Sequence, residues 1–272
     1  MKKIPFKRLN LGNSEMRALE KLIRSGLIGL GEKVFEFEKA LAKYVGTREV
    51  VAVDSCTSAL FLSLLWEKVR SKKKLSKVGI PSMTVPLVAS AALEADRKIY
   101  FTDDTGWVGN KYLLLGSNVV DSAHELERGM CKNQSHNLKV CFSFYPTKNI
   151  GSADGGAIAT NDKVFADWVR SISTYGRNQK QKYGNSWDYE VEMIGYKRHY
   201  TNLQAVICLE LLKRLVKSNA RRRKIRDRYN KAFGLENKSL YLYRIKIINR
   251  DKFIGYMSRM GIECGVHFKP LH

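Results

Sequence analysis

The segment Cys141-Phe142-Ser143-Phe144-Tyr145-Pro146-Thr147-Lys148-Asn149-Ile150-Gly151-Ser152-Ala153-Asp154-Gly155-Gly156-Ala157-Ile158-Ala159-Thr160 constrains this chain most. Its two ends are short apolar runs bounded by turn residues, which is the pattern of buried strands. Between them lie a proline, one lysine and a glycine-rich turn. Lys148 is therefore held between two rigid elements.

In a chain with 48 Lys and Arg, a single lysine is ordinarily a solvated loop charge. The company of Lys148 sets it apart: Ser143 precedes it, Asp154-Gly155-Gly156 follows it, and an upstream apolar run, Val119-Val120, ends on Asp121. A lysine amine condenses with an aldehyde cofactor to a Schiff base, and a buried aspartate against a pyridine nitrogen keeps that ring protonated as an electron sink. Pyridoxal 5'-phosphate (PLP) requires those two groups.

The segment resembles the Schiff-base lysine motif of the DegT/DnrJ/EryC1/StrS sugar aminotransferases, and the likeness runs in order from Ile4-Pro5-Phe6 to the last residue. The resemblance implies an α/β fold of the fold-type I PLP-dependent transferases. Residues 1–218 would form the PLP-binding large domain, a mostly parallel sheet with helices on both faces, and 219–272 an incomplete α+β small domain. Lys148 would hold the cofactor and, once freed, act as general acid and base. Asp121-Ser122-Ala123-His124 is similar to the family's Asp-Ala-Ala-His/Gln, which assigns Asp121 to the pyridinium nitrogen and His124 to the ring face or phenolic oxygen.

Asp54-Ser55-Cys56-Thr57-Ser58-Ala59-Leu60 turns an apolar strand into a helix, and a helix N-terminus offers unpaired amides and positive dipole to a phosphate. The same residues also read as a simple cap by Ser55 or Thr57. The turn resembles the family's Ser-Gly-Thr-x-Ala-Leu phosphate loop, with Cys56 in the place of glycine, so Ser55, Cys56, Thr57 and Ser143 are expected to anchor the phosphate. Other positions depart from the family. Val85 stands where an aromatic residue stacks on the cofactor ring. In Gly195-Tyr196-Lys197-Arg198-His199, Lys197 replaces an asparagine that reaches a partner subunit's cofactor phosphate, and His199 replaces an arginine. Val266-His267-Phe268-Lys269-Pro270-Leu271-His272 resembles His-Tyr-x-Pro-Leu-His and puts His267, with His199, on the substrate side.

What the resemblance implies is a cytoplasmic homodimer, its active site between subunits, that passes an amino group from glutamate to the keto carbon of a dTDP- or UDP-linked sugar. The departures leave open a degenerate relative that binds PLP or nucleotide sugar with little turnover. Relatives carry a helix where this chain has only Gly116-Ser117 between two apolar runs, and they continue beyond residue 272, so the chain reads as minimal or truncated.

The net charge of +22 raises nucleic-acid binding as a rival, although the runs Arg221 to Arg228 and Ser71 to Lys74 read as solvated helix ends. No apolar run approaches the roughly 20 residues of a membrane span, and Met1-Lys2-Lys3-Ile4-Pro5 lacks a signal peptide's apolar segment. Five cysteines without metal-type spacing and five scattered histidines point to buried free thiols and no metal site. Asn13 or Ser14 is expected to cap the first helix, 176–190 to form a loop over the site, 240–248 and 262–268 to be strands, and 252–260 a helix.

Overall fold

The computed structural model of the chain describes residues 3–9, 11–71, 77–178 and 189–272. Two helices, α1 (Asn13–Ser25) and α2 (Glu32–Val45), lead into β1 (Glu49–Val53) and α3 (Cys56–Arg70). Then follow β2 (Lys77–Pro81), α4 (Pro86–Glu94), β3 (Lys98–Thr102), β4 (Tyr112–Leu113) and β5 (Val119–Asp121). The chain continues through β6 (Lys139–Ser143), β7 (Gly156–Thr160), α5 (Lys163–Ile172), α6 (Asn202–Phe233) and α7 (Arg250–Arg259).

Five strands form one sheet in the order β1-β7-β6-β5-β4, and β2 and β3 form a parallel pair beside it through an isolated bridge, Gly79 to Leu115. Residues alternate across the sheet with period two. Val50 and Ala52 of β1, Val140 and Phe142 of β6, and Ala157 and Ala159 of β7 pack on one face with α2 and α6. Val51, Val53, Cys141 and Ile158 pack on the other with α3, α4 and α5. A sheet covered on both faces needs apolar residues at nearly every strand position, which is why its strands read as continuous apolar runs.

The expectation of a mostly parallel sheet is refined to a mixed one: β5–β6 and β2–β3 are parallel, whereas β1–β7, β6–β7 and β4–β5 are antiparallel. The short Gly116-Ser117 link explains one antiparallel pair, because parallel neighbours need a crossover of about a dozen residues. Gly116 takes a left-handed φ of 78° there, so β4 and β5 close as a hairpin.

Several other expectations are corrected. The α1 cap is Gly12, not Asn13 or Ser14; its amide donates to Glu15 Oε2 at 2.7 Å. Residues 240–248 and 262–268 form no strand. Their apolar side chains pack on the body instead, Leu242 inside the second core cluster and Phe268 and Leu271 against it. Only Ile262 makes a strand-like bridge, to Ile4. The expected helix at 252–260 is α7. The long helix expected to link the two units is α6, 32 residues long. Of the expected basic run and covering loop, residues 72–74 and 179–188 lie outside the described residues. No helix among the described residues is long and apolar enough to cross a membrane. The five cysteines are free thiols, those of Cys131, Cys141 and Cys208 buried.

Glu38 of α2 ties the helix layer to the sheet by accepting from the Ala52 amide at 2.8 Å, with Arg170 at 3.4 Å. Burial, only partly opposed by Arg170 and that amide, pushes its carboxyl from 4.5 up to about 7. Between those values the folded protein holds a proton that the unfolded chain has released, so this group's contribution to stability falls as pH rises through that window. Glu38→Gln should remove that fall, on the order of 3 kcal/mol, from the unfolding free energy measured by denaturant titration between pH 4.5 and 7. An unchanged slope would show that Glu38 is charged in the fold.

Candidate active site

The sheet directions bring three chain segments to one edge. Because β5 and β6 are parallel and β1 runs antiparallel to β7, the carboxyl ends of β1, β5 and β6 meet the amino end of β7 there. That edge carries the start of α3, Asp121, Ser143 and the loop to Lys148. Ligands bind at such carboxyl edges in open α/β sheets.

Asp121 closes β5 and is only 6 % exposed. Its Oδ1 accepts from the Ala123 amide at 2.9 Å and its Oδ2 from the Tyr112 hydroxyl at 2.9 Å. Tyr112 lies 3.0 Å from Thr84 Oγ1. Burial pushes the Asp121 carboxyl up, although the Ala123 amide, the Tyr112 hydroxyl and the charge of Lys148 oppose it. A carboxylate held this way readily shares a proton with a basic nitrogen placed against it.

His124, 5 % exposed, accepts from the Gly109 amide at Nδ1 at 3.2 Å, so its hydrogen is assigned to Nε2. Burial, then the charges of Lys148, His267 and Lys7, push its imidazole down to about 2. The ring is neutral and stacks near Trp107 (centroids 5.3 Å) and Phe268 (6.0 Å).

Lys148 is half-buried in a loop that closes through Lys148 N to Tyr145 O at 2.9 Å and Ser152 N to Phe144 O at 2.9 Å. A Cβ on Gly151 would come 2.8 Å from the carbonyl oxygens of Tyr145 and Pro146, so the loop can be this tight only with glycine there. Arg222 of α6 steadies it by donating to Asn149 O at 3.3 Å. Lys148 Nζ lies 4.8 Å from the ring centroid of Tyr241, which sits 4.7 Å from the His124 ring. Lys148, Ser143 and His124 line one small cleft.

At the start of α3, Ser55 Oγ accepts from Ser58 N at 3.1 Å, and Ala59 N donates to Ser55 O. Ser55 is thus a cap, and the amides of Cys56 and Thr57 are the two without an intrahelical acceptor. Burial first, then the charge of Asp121, pushes the Cys56 thiol well up, so it is an uncharged neighbour of the site.

A family model, the DegT/DnrJ/EryC1/StrS aminotransferase family, matches residues 10–107 and 135–272. The chain belongs to that family. The unmatched stretch, 108–134, contains the β4–β5 hairpin. The spore coat polysaccharide biosynthesis protein SpsC of Bacillus subtilis is 28 % identical over 99 % of this chain and 84 % of its own. The UDP-4-amino-4,6-dideoxy-N-acetyl-beta-L-altrosamine transaminase of Campylobacter jejuni is 24 % identical over the same shares. Spr1654 of Streptococcus pneumoniae, solved in its PLP form, superposes with a TM-score of 0.82 at 21 % identity, over 99 % of this chain and 86 % of that one. The fold is therefore fold-type I, and the family's cofactor is PLP.

The residues present fit that cofactor: a buried acceptor for the pyridine nitrogen, an amine beside it, and a helix start with two free amides. The fit extends to Gly156, where a Cβ would lie 2.4 Å from the Ser55 carbonyl carbon and 2.5 Å from Cys56 N. The edge of β7 and the turn that opens α3 therefore meet flush.

Not every expected residue joins this cluster. Val85 caps α4 beside Thr84, one hydrogen bond from Tyr112. Lys197 is exposed and bridges to Thr174 through its backbone. His199 bridges Val53, the last residue of β1, with Lys197, Asp54 and Ser173 around it. Next to it, Arg198 donates to Ser58 Oγ at 3.1 Å and pairs with Glu94. His267 lies near Lys148 and accepts or shares a hydrogen bond with Lys7 Nζ at 3.2 Å. Sequence reasoning missed Tyr112, Tyr241, Arg222 and Lys7. Only the basic run signalled one of them, and it signalled a solvated face, whereas Arg222 and Arg223 are bonded to Asn149 and Glu127.

Gly156→Ala should push α3 away from β7, with a stability loss of roughly 1–3 kcal/mol and a weaker hold on PLP. Thermal unfolding and PLP titration check it; a variant with wild-type cofactor affinity would show that the phosphate sits elsewhere.

Proposed function

We propose that this chain is a PLP-dependent nucleotide-sugar aminotransferase that moves an amino group, from glutamate, to the keto carbon of a dTDP- or UDP-linked sugar. The observation that carries this reading is that the buried Asp121, at the end of β5, and Lys148, in the loop after β6, lie at the one edge where α3 begins, close enough for the charge of Lys148 to act on the Asp121 carboxyl. Bound PLP supplies the electron sink for charge developing at the substrate carbon. Lys148 Nζ is the covalent anchor and, when released, takes the proton from the donor's α-carbon and returns one during the reverse half. The Asp121 carboxylate, its orientation fixed by Tyr112 and Ala123, would hold the proton of the pyridine nitrogen. The amides of Cys56 and Thr57, with Ser55 and Ser143, bind the phosphate. His124 is the uncharged surface against the ring, Val85 covers the opposite side, and His199 and His267 face the substrate.

The same reading makes the protein a cytoplasmic homodimer, with Lys197 reaching the partner's cofactor phosphate from its exposed position. The Campylobacter relative's UDP-sugar name supports the substrate class. A degenerate member that binds without turnover is favoured by the replacement of the family arginine by His199.

Borohydride reduction of the PLP-loaded protein should leave a stable adduct on residue 148 in a mass map, and Lys148→Ala should lose both the adduct and turnover, by roughly 10²–10⁴-fold or more. An adduct elsewhere, or none, would sink the reading. Glutamate should bleach the visible band of the lysine-bound cofactor, and dTDP- or UDP-keto sugars should restore it. A band that never bleaches identifies the degenerate binder.

A further inference from the structure

The N-terminal segment ends beside the catalytic lysine. Ile4 pairs with Ile262 through Ile4 N to Gly261 O at 2.8 Å and Glu263 N to Ile4 O at 3.0 Å, and this short ladder delivers Lys7 to the site. Lys7 Nζ donates to the Tyr241 hydroxyl at 2.9 Å and lies 3.2 Å from His267 Nε2. Tyr241 is anchored again by Thr147 Oγ1 at 3.1 Å, one residue before Lys148. Lys7 and Lys148 thus share one aromatic ring, Lys7 at its hydroxyl end and Lys148 4.8 Å from its centroid.

The charge balance here is unusual. Two lysines sit against one tyrosine, and among the described residues neither makes an ion pair with a carboxylate. Glu263, on the Ile4 ladder, accepts from the Phe6 amide at 3.1 Å instead. The nearby histidines do not compensate. Burial, then Lys7 and Lys148, push His267 down to about 4, so it is neutral at pH 7 and accepts from Lys7 rather than competing with it. Tyr241 answers the same field: burial alone would raise its phenol, yet Lys148 and the bonds to Lys7 and Thr147 bring it below its ordinary value. An ammonium has three donors, and two of those of Lys7 are committed to Tyr241 and His267. Held by two neutral acceptors, Lys7 has one donor left for a ligand.

We propose that Lys7 is the docking cation for an oxyanion of the substrate, a carboxylate or phosphate carried within a few bonds of the carbon on which Lys148 acts. Tyr241 and His267 are its positioning residues. The proposal rests on the reading of Lys148 as the catalytic amine. Both an amino acid's α-carboxylate and a sugar nucleotide's diphosphate present this chemistry. Lys7 supplies a cation on the Tyr241 and His267 side of Lys148.

The test uses the full-length PLP-loaded protein, with Lys7→Met removing the charge and Lys7→Arg keeping it. Binding of two inert probes, glutarate and UDP, is followed by calorimetry, and residue 148 is mapped after borohydride reduction in each variant. Lys7→Met should weaken one or both probes by tenfold or more, while Lys7→Arg stays within about threefold of wild type. The probe that weakens identifies the oxyanion as donor carboxylate or nucleotide phosphate. Raising the salt concentration should weaken the same probe for the wild-type protein, a readout that needs no variant. Unchanged affinities for both probes in Lys7→Met, or equal losses in Lys7→Met and Lys7→Arg, overturn the proposal. The adduct at residue 148 keeps the two readings apart: if it forms while Lys7→Met binds normally, Lys7 alone is misassigned, and if wild type forms none, the catalytic reading itself has failed.

Discussion

A carboxylate buried at the end of a strand has to be answered by donors, and the way Asp121 is answered organises this molecule. Isolated in an apolar interior, it would neutralise rather than stay charged. Here Tyr112 and the Ala123 amide occupy one oxygen each, and Lys148 supplies the field. Tyr112 can reach Asp121 only because β4 folds back on β5, with Tyr112 directly opposite Asp121 in the register. The tight link at Gly116-Ser117 therefore shapes this edge: the hairpin it creates brings the Tyr112 hydroxyl to the carboxylate.

The rest of the edge follows from strand direction. β1, β5 and β6 point the same way, so one end of the sheet collects a helix start, a carboxylate and a lysine loop that are far apart in sequence. Each needs close backbone approach. Gly156 lets β7 touch the α3 turn, and Gly151 lets the Lys148 loop close on itself. The second layer holds the pieces still: Arg222 reaches the lysine loop from α6, and Asn219 of the same helix donates to Leu126 O at 3.0 Å, beyond His124. A helix with a basic outer half thus braces both sides of the site.

The parts of this arrangement legible in the sequence are those with local signatures. The apolar runs of β1, β5, β6 and β7, the glycines after Lys148 and the small-residue turn before α3 all announce themselves over a few positions. The C-terminal strands at 240–248 and 262–268 did not form, because alternation of apolar residues says that one face is buried but not against what. Leu242, Phe268 and Leu271 satisfy the pattern by packing on the large core without pairing in a ladder. The α1 cap was misread for a related reason: Asn13 and Ser14 are good caps, but Glu15 reaching back to the Gly12 amide places the first turn one residue earlier. Tyr112, Tyr241 and Lys7 were illegible because each acts across 9, 93 or 234 positions of chain, and no local pattern encodes such contacts.

Charge illustrates the same limit from the other side. A run such as Arg221 to Arg228 looks uniform in sequence, yet its members part company in the fold. Arg221, Lys224 and Arg228 are exposed, whereas Arg222 is bonded to Asn219 and Asn149 and Arg223 is paired with Glu127. Burial pulls the Arg222 guanidinium below its ordinary value, a cost accepted where the group closes two polar contacts. Conversely, Lys7 sits in a short terminal segment with nothing to distinguish it, and it reaches the site only through the Ile4–Ile262 pairing. The net charge of +22 is thus a sum over different jobs: solvated helix surface, braces for backbone carbonyls, and cations gathered without carboxylate partners around Tyr241. Position decides among them, since the same ammonium is worth little at a screened surface and much where its counter-charge arrives with the ligand.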